Sequence, residues 1–184
     1  MIRIGVSALD EIDAMVLEAI EACLEREVGA ETRRLAVRFD TRPAYNEGRG
    51  QYSAPAMLKM LLDSKAAGRD ERVLGVTRQD LYIPMLSFVF GQAQLDGRAA
   101  VISLARLDPR FYGLPPGGAV LAARAAKEAL HETGHTLGLL HCGDARCVMA
   151  VSASLRQLDD KQAALCGACA SKVRGKQPAG RRYR

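Results

Sequence analysis

All three histidines of this 184-residue chain fall within eleven consecutive residues, His131-Glu-Thr-Gly-His135-Thr-Leu-Gly-Leu-Leu-His141. His131 and His135 are four residues apart, so on a helix they project from one face and can grip a single metal ion. His141 continued along the same helix would point away from that ion. The backbone must therefore turn sharply, and Gly138 is the residue most able to turn left-handed at a helix end. The pattern H-E-x-x-H with a following glycine and third histidine reads as a catalytic zinc site with three imidazole ligands and an open fourth position. Glu132 lies about 100° around the helix from His131, given 3.6 residues per turn. It is placed to act as general base and acid rather than as a ligand. Zinc in such a site lowers the pKa of water to about 7 and polarises a carbonyl. The expected reaction is hydrolysis of an amide bond.

Four of the five cysteines lie close behind the histidines: Cys142, Cys147, Cys166 and Cys169. The last two bracket Gly167-Ala168 in a C-x-x-C knuckle. Four thiolates at these spacings suit a closed, tetrahedral structural zinc, which makes two Zn²⁺ per chain. A dithiol redox pair at Cys166 and Cys169 is the competing reading. Because Cys142 follows His141 directly, a closed second site would also fix the third histidine. Cys23 stands alone in an apolar helical pattern and is expected to be a small buried hydrophobe.

Length and composition suit one soluble domain whose core needs no disulfides: apolar residues make up 48% and charged residues 26%. No apolar run approaches the roughly 18 residues of a membrane helix, and the N-terminus lacks the features of a secretory signal. A cytoplasmic monomer, not attached to a membrane, is expected. The net charge of +5 owes much to Lys172, Arg174, Lys176, Arg181, Arg182 and Arg184, among which no acidic residue falls. That charge belongs to a short end rather than a face, so nucleic acid is not an expected partner. The domain is expected over residues 1–172, with a basic flexible tail over 173–184.

Along the chain, Ile2 to Val6 reads as a buried strand, and a helical period starts at Asp10 and ends at Gly29. Leu35 to Phe39 alternates like a second strand. A helix is expected from about Ala54 to Ala67, with Pro55 in its first turn. Arg72 to Thr77 is a third strand candidate. Leu86 to Phe90 and Ala99 to Ala105 suggest a hairpin turning around Asp96-Gly97. The alanine-rich segment Ala119 to Leu137 should form the long helix carrying His131 and His135. These elements predict an α/β (mixed α+β) fold, with one mixed, twisted sheet flanked by helices.

The segment His131 to His141 resembles the metzincin signature of zinc peptidases, with Met149 standing like the methionine of the metzincin Met-turn. The run His141-Cys142-x4-Cys147-Val-Met149 with the later Cys166-x-x-Cys169 resembles the archaemetzincins, predicted zinc peptidases with a second, four-cysteine zinc site. The resemblance implies a metzincin-like domain in which His131, His135 and His141 hold the catalytic zinc and Glu132 is the general base/acid. It likewise implies that Cys142, Cys147, Cys166 and Cys169 hold the structural zinc, with Met149 packed beneath the catalytic metal. Some metzincins place a zinc-ligating tyrosine two residues after that methionine; here the position is Val151. Leu86 to Gln92 is a candidate for the edge strand that pairs with an extended substrate, an ordinary sheet strand being the alternative. The expected activity is a metallopeptidase acting on peptides or unfolded polypeptide. A zinc-binding interaction protein with little turnover is the competing expectation.

Overall fold

The computed structural model describes residues 1–37, 39–64, 68 and 71–176. Its elements run β1 (Ile2–Ala8), α1 (Ala14–Val28), β2 (Ala30–Arg34), β3 (Tyr45–Asn46), β4 (Gln51–Ser53), α2 (Ala54–Asp63), β5 (Arg72–Thr77), β6 (Leu81–Tyr82), β7 (Gly91–Ala93), β8 (Ala99–Ser103), α3 (Gly118–Thr136), α4 (Leu155–Asp160) and α5 (Gly167–Lys176). The main sheet has the order β2-β1-β5-β8-β7. Its first four strands are mutually parallel, and β7 joins β8 antiparallel at the edge. A small second sheet, β3-β4-β6, pairs β3 antiparallel and β6 parallel with β4.

Side chains that alternate along β8 divide the core in two. Ala100 and Ile102 join α1 and α3 on one face, while Ala99 and Val101 join α2 on the other. On the first face, α3 turns Ala122, Ala125, Ala126 and Ala129 inward, and these small residues let a long helix lie close against its neighbours. This packing holds the C-terminal turn of α3 firmly. Two further bonds receive its outgoing carbonyls: Asp96 N–H donates to His135 O at 2.9 Å, and Arg72 Nε to Thr136 O at 3.3 Å. The β7–β8 turn and strand β5 are thereby tied to the helix end.

The expected mixed α/β architecture holds, with local corrections. The helical period from Asp10 becomes a helix only at Ala14, where the Asp13 carboxylate caps the Met15 N–H at 2.9 Å. The second strand is Ala30–Arg34 rather than Leu35 to Phe39, because residues 30–34 take the parallel register beside β1. Leu35 follows as a buried plug under Gly5, where a Cβ would lie 2.7 Å from its Cδ1. Residues 65–67, expected to end the second helix, lie outside the described residues.

Leu86 to Phe90 forms no strand: Phe88 and Phe90 pack edge-on at 5.3 Å, and Val89 makes a single bridge to Leu81. The hairpin's first arm starts at Gly91. Residues 173–176, placed in the tail on charge alone, belong to α5, because Val173 is buried in the core. The rest of that tail lies outside the described residues.

Candidate active site

The helix α3 carries His131 and His135 on its last two turns, and a Schellman motif closes it. Gly138 adopts φ 79°, its N–H donates to His135 O at 2.8 Å, and Leu139 N–H donates to Gly134 O at 2.9 Å. The turn does two things. It brings His141 back toward the other imidazoles, with ring centroids 5.4 Å from His131 and 4.9 Å from His135. It also aims the Leu139 carbonyl at His135, whose Nδ1 donates to it at 2.8 Å. His131 Nδ1 donates to Val148 O at 2.8 Å.

Those two carbonyls set the tautomers, because a carbonyl accepts only from a protonated nitrogen. Nδ1 carries the hydrogen in both rings, which leaves Nε2 with a lone pair. The two Nε2 atoms face each other at 3.2 Å. Two lone pairs at that separation repel, whereas a cation between them attracts both. Candidate ligand atoms of His131, His135 and His141 all lie within 4.8 Å of one another. Burial and the neighbouring positive groups push His131 down to about 3, and burial lowers His135 as well. Both therefore stay neutral and able to donate a lone pair at pH 7. The residues present fit a metal ion.

Glu132 lies on α3 beside this cluster, buried at 5% exposure. Across from it runs β7: a Cβ on Gly91 would lie 2.6 Å from Glu132 Cγ and 2.9 Å from its Oε1. Glu128, one turn earlier on the same face, is equally buried, and the two carboxyl groups hydrogen-bond to each other. Burial raises both, Glu128 to about 7 and Glu132 further, since the Glu128 charge adds to its desolvation. The Lys161 ammonium, also buried, opposes both shifts and donates to Val148 O at 3.0 Å.

Met149 is fully buried in the core. Its thioether fills the space above Gly134, where a Cβ would lie 3.1 Å from the Met149 Cε and closer still to its sulfur. Only glycine at 134 leaves room for that packing.

The four cysteines Cys142, Cys147, Cys166 and Cys169 converge as a second group, their sulfurs also within 4.8 Å of one another. Cys142 Sγ lies 3.8 Å from Cys166 Sγ, and Cys166 N–H donates to Cys147 Sγ at 3.3 Å. Backbone N–H donation brings Cys166 down to about 7, while burial pushes Cys169 far up. Convergence of all four suits a tetrahedral metal better than an isolated Cys166/Cys169 redox pair does. Cys23 is buried in the core apart from this group, as expected.

Short backbone links join the two groups. Cys142 N–H donates to Met149 O at 2.9 Å, and Val148 N–H to Ala164 O at 3.0 Å. The three histidines and four cysteines singled out as metal ligands are thus brought into two adjoining clusters, with Glu132 beside the first. Glu128, Lys161, the Val148 carbonyl and Gly91 were not singled out. Glu128 carried a signal, four residues before Glu132 on a helix; Lys161 and Gly91 reach the site only through tertiary folding.

Among the described residues no helix is long and apolar enough to cross a membrane. The model of peptidase family M54 matches residues 10–175. The archaemetzincin of Methanocaldococcus jannaschii is 50% identical over 130 residues, 71% of this chain and 70% of that protein. The crystal structure of archaemetzincin from Methanopyrus kandleri superposes with a TM-score of 0.82 at 36% identity, covering 95% of this chain and 94% of that one. A zinc-dependent peptidase from Methanocorpusculum labreanum gives a TM-score of 0.82 at 27% identity, over 92% of this chain and 99% of that one.

Proposed function

The chain belongs to peptidase family M54 and is a zinc metallopeptidase, and we propose that His131, His135 and His141 hold its catalytic zinc while Glu132 moves the proton. The observation that carries the metal assignment is the 3.2 Å approach of two unprotonated Nε2 atoms, each fixed by a carbonyl behind it. Zinc bound there supplies a Lewis acid for the scissile carbonyl and acidifies a water molecule.

The chain's own groups do the rest. Glu132 accepts a proton at its carboxylate as the amide is attacked and returns it to the leaving nitrogen. Burial alone would keep this carboxyl protonated, and the positive charge that the histidines receive lowers its proton affinity again, which leaves a carboxylate free to accept. Glu128, hydrogen-bonded to it, keeps the carboxyl from swinging away. The substrate is a peptide, and its extended backbone pairs along β7, the sheet edge that touches Glu132 through Gly91. Pairing by main-chain bonds selects little by side chain, so unfolded polypeptide is a suitable substrate class.

A second, structural zinc is held by Cys142, Cys147, Cys166 and Cys169. Support comes from the convergence of all four sulfurs within 4.8 Å of one another. Metal analysis tests both assignments together. The purified protein should carry two zinc ions per chain, His131→Ala with His135→Ala should carry one, and Cys166→Ser with Cys169→Ser should also lose one. A wild-type content of one zinc, or histidine variants that retain both, would contradict the scheme.

A further inference from the structure

Lys161 follows α4 at a position that no metal-ligand pattern marks, yet it is 4% exposed. Its Nζ donates to Val148 O at 3.0 Å, the same carbonyl that accepts from His131 Nδ1 at 2.8 Å. A carbonyl oxygen has two lone pairs, so both bonds form at once, and the two donors together fix the direction of that peptide. Charged and titratable groups facing the ammonium come from several elements: Glu128, Glu132 and Lys127 on α3, and Cys147 in the following loop. A buried ammonium is costly unless it meets acceptors and opposite charge, and here both are assembled around one carbonyl and one carboxyl pair.

Resting on the metal assignment above, we propose that Lys161 is a positioning residue for the hydrolytic site. Its ammonium clamps the Val148 carbonyl that orients His131, and it sets a buried positive charge against the Glu128–Glu132 pair. The clamp acts on the metal ligand through a single peptide group. With it, His131 is held with Nε2 toward the other two imidazoles. Without it, the Val148 carbonyl retains only the imidazole and loses the second donor that fixes its plane. Groups that orient a metal-bound histidine typically change metal affinity by about 10–100-fold when removed.

The test uses the full chain as Lys161→Met and Lys161→Gln, the second keeping a shorter polar donor in case the first does not fold. Zinc affinity of the histidine cluster is measured by competition with a chromophoric chelator. The visible spectrum is recorded with cobalt(II) in place of zinc, since a tilt of His131 changes that spectrum while a remote packing change does not. Lys161→Met should bind zinc at the histidines about 10-fold or more weakly, with an altered cobalt spectrum and the cysteine cluster still loaded. Lys161→Gln should show the same changes to a smaller degree, and it decides the matter if Lys161→Met fails to fold. A folded variant with wild-type zinc affinity and cobalt spectrum overturns the Lys161 assignment alone. Wild-type zinc content untouched by His131→Ala would instead contradict the metal reading on which the assignment rests.

Discussion

Gly91 and Glu132 are in a contact that only glycine permits: a Cβ on residue 91 would lie 2.6 Å from the Glu132 Cγ and 2.9 Å from the Val101 carbonyl. The edge strand and the proposed proton carrier therefore share one boundary. Neither can shift without the other. A sheet edge that guides peptide backbone and a carboxyl that serves it are kept in register by the lack of a side chain.

Gly91→Ala should accordingly lower kcat/KM by about 10-fold or more, since misplacing a catalytic group by about 1 Å can cost on the order of 100-fold. Overpacking at that point should also reduce stability by about 1–3 kcal/mol. Steady-state peptide cleavage and urea unfolding read the two effects separately. A Gly91→Ala enzyme with unchanged activity would show that Glu132 is not held by this contact.

Acid should destabilise the metal-free protein through His131. Its folded pKa, about 3, lies below the ordinary histidine value of 6.5, so below pH 6.5 the unfolded chain takes up the proton first. This contribution is fully present above pH 6.5 and is lost progressively as pH falls toward 3. Glu128 and Glu132, raised by burial, act with the opposite sign below their folded pKa values. Comparison with His131→Asn isolates the imidazole. Between pH 6.5 and 5 the wild type should lose about 1.6 kcal/mol relative to that variant, the slope reaching 1.36 kcal/mol per pH unit only well below pH 6.5. Chelator-treated protein unfolded in urea at both pH values gives the number; a difference independent of pH would contradict the buried, neutral imidazole.

Removing the cysteine cluster should weaken the histidine cluster. Val148 connects them: its carbonyl orients His131, and its N–H donates to Ala164, two residues before Cys166. Cys166→Ser with Cys169→Ser should raise the zinc dissociation constant at the histidines by about 10-fold, the lower end of what orienting groups contribute. Chelator competition on the folded double variant measures it. Unchanged affinity at the histidines would mean that the two sites are independent.

What could be read from the chain follows the range of the interactions involved. The two clusters were legible because their spacing is local: His131 and His135 one helical turn apart, Gly138 at the required turn, Cys166 and Cys169 in a knuckle. The strand Arg72–Thr77 was legible as a continuous buried run. Leu86 to Phe90 misled because its apolar residues serve aromatic packing and one isolated bridge rather than a ladder. Lys161, thirty residues from His131, meets the site only because α4 folds back on α3, where Arg124 pairs with Asp159 at 2.7 Å and Lys127 donates to the Leu158 carbonyl at 3.0 Å. No periodicity or motif in the chain encodes that meeting.

In the proposed scheme Glu132 carries the proton for a metal held by His131, His135 and His141. Glu132→Gln keeps the shape of the side chain and removes its basicity, so zinc content and peptide cleavage should separate in this variant. Assayed against a diverse peptide library, the zinc-loaded wild type should cleave, and Glu132→Gln should retain both zinc ions while its turnover falls by at least about 100-fold, the low end of general acid–base contributions. A zinc-replete Glu132→Gln protein that cleaves as fast as wild type would contradict the account.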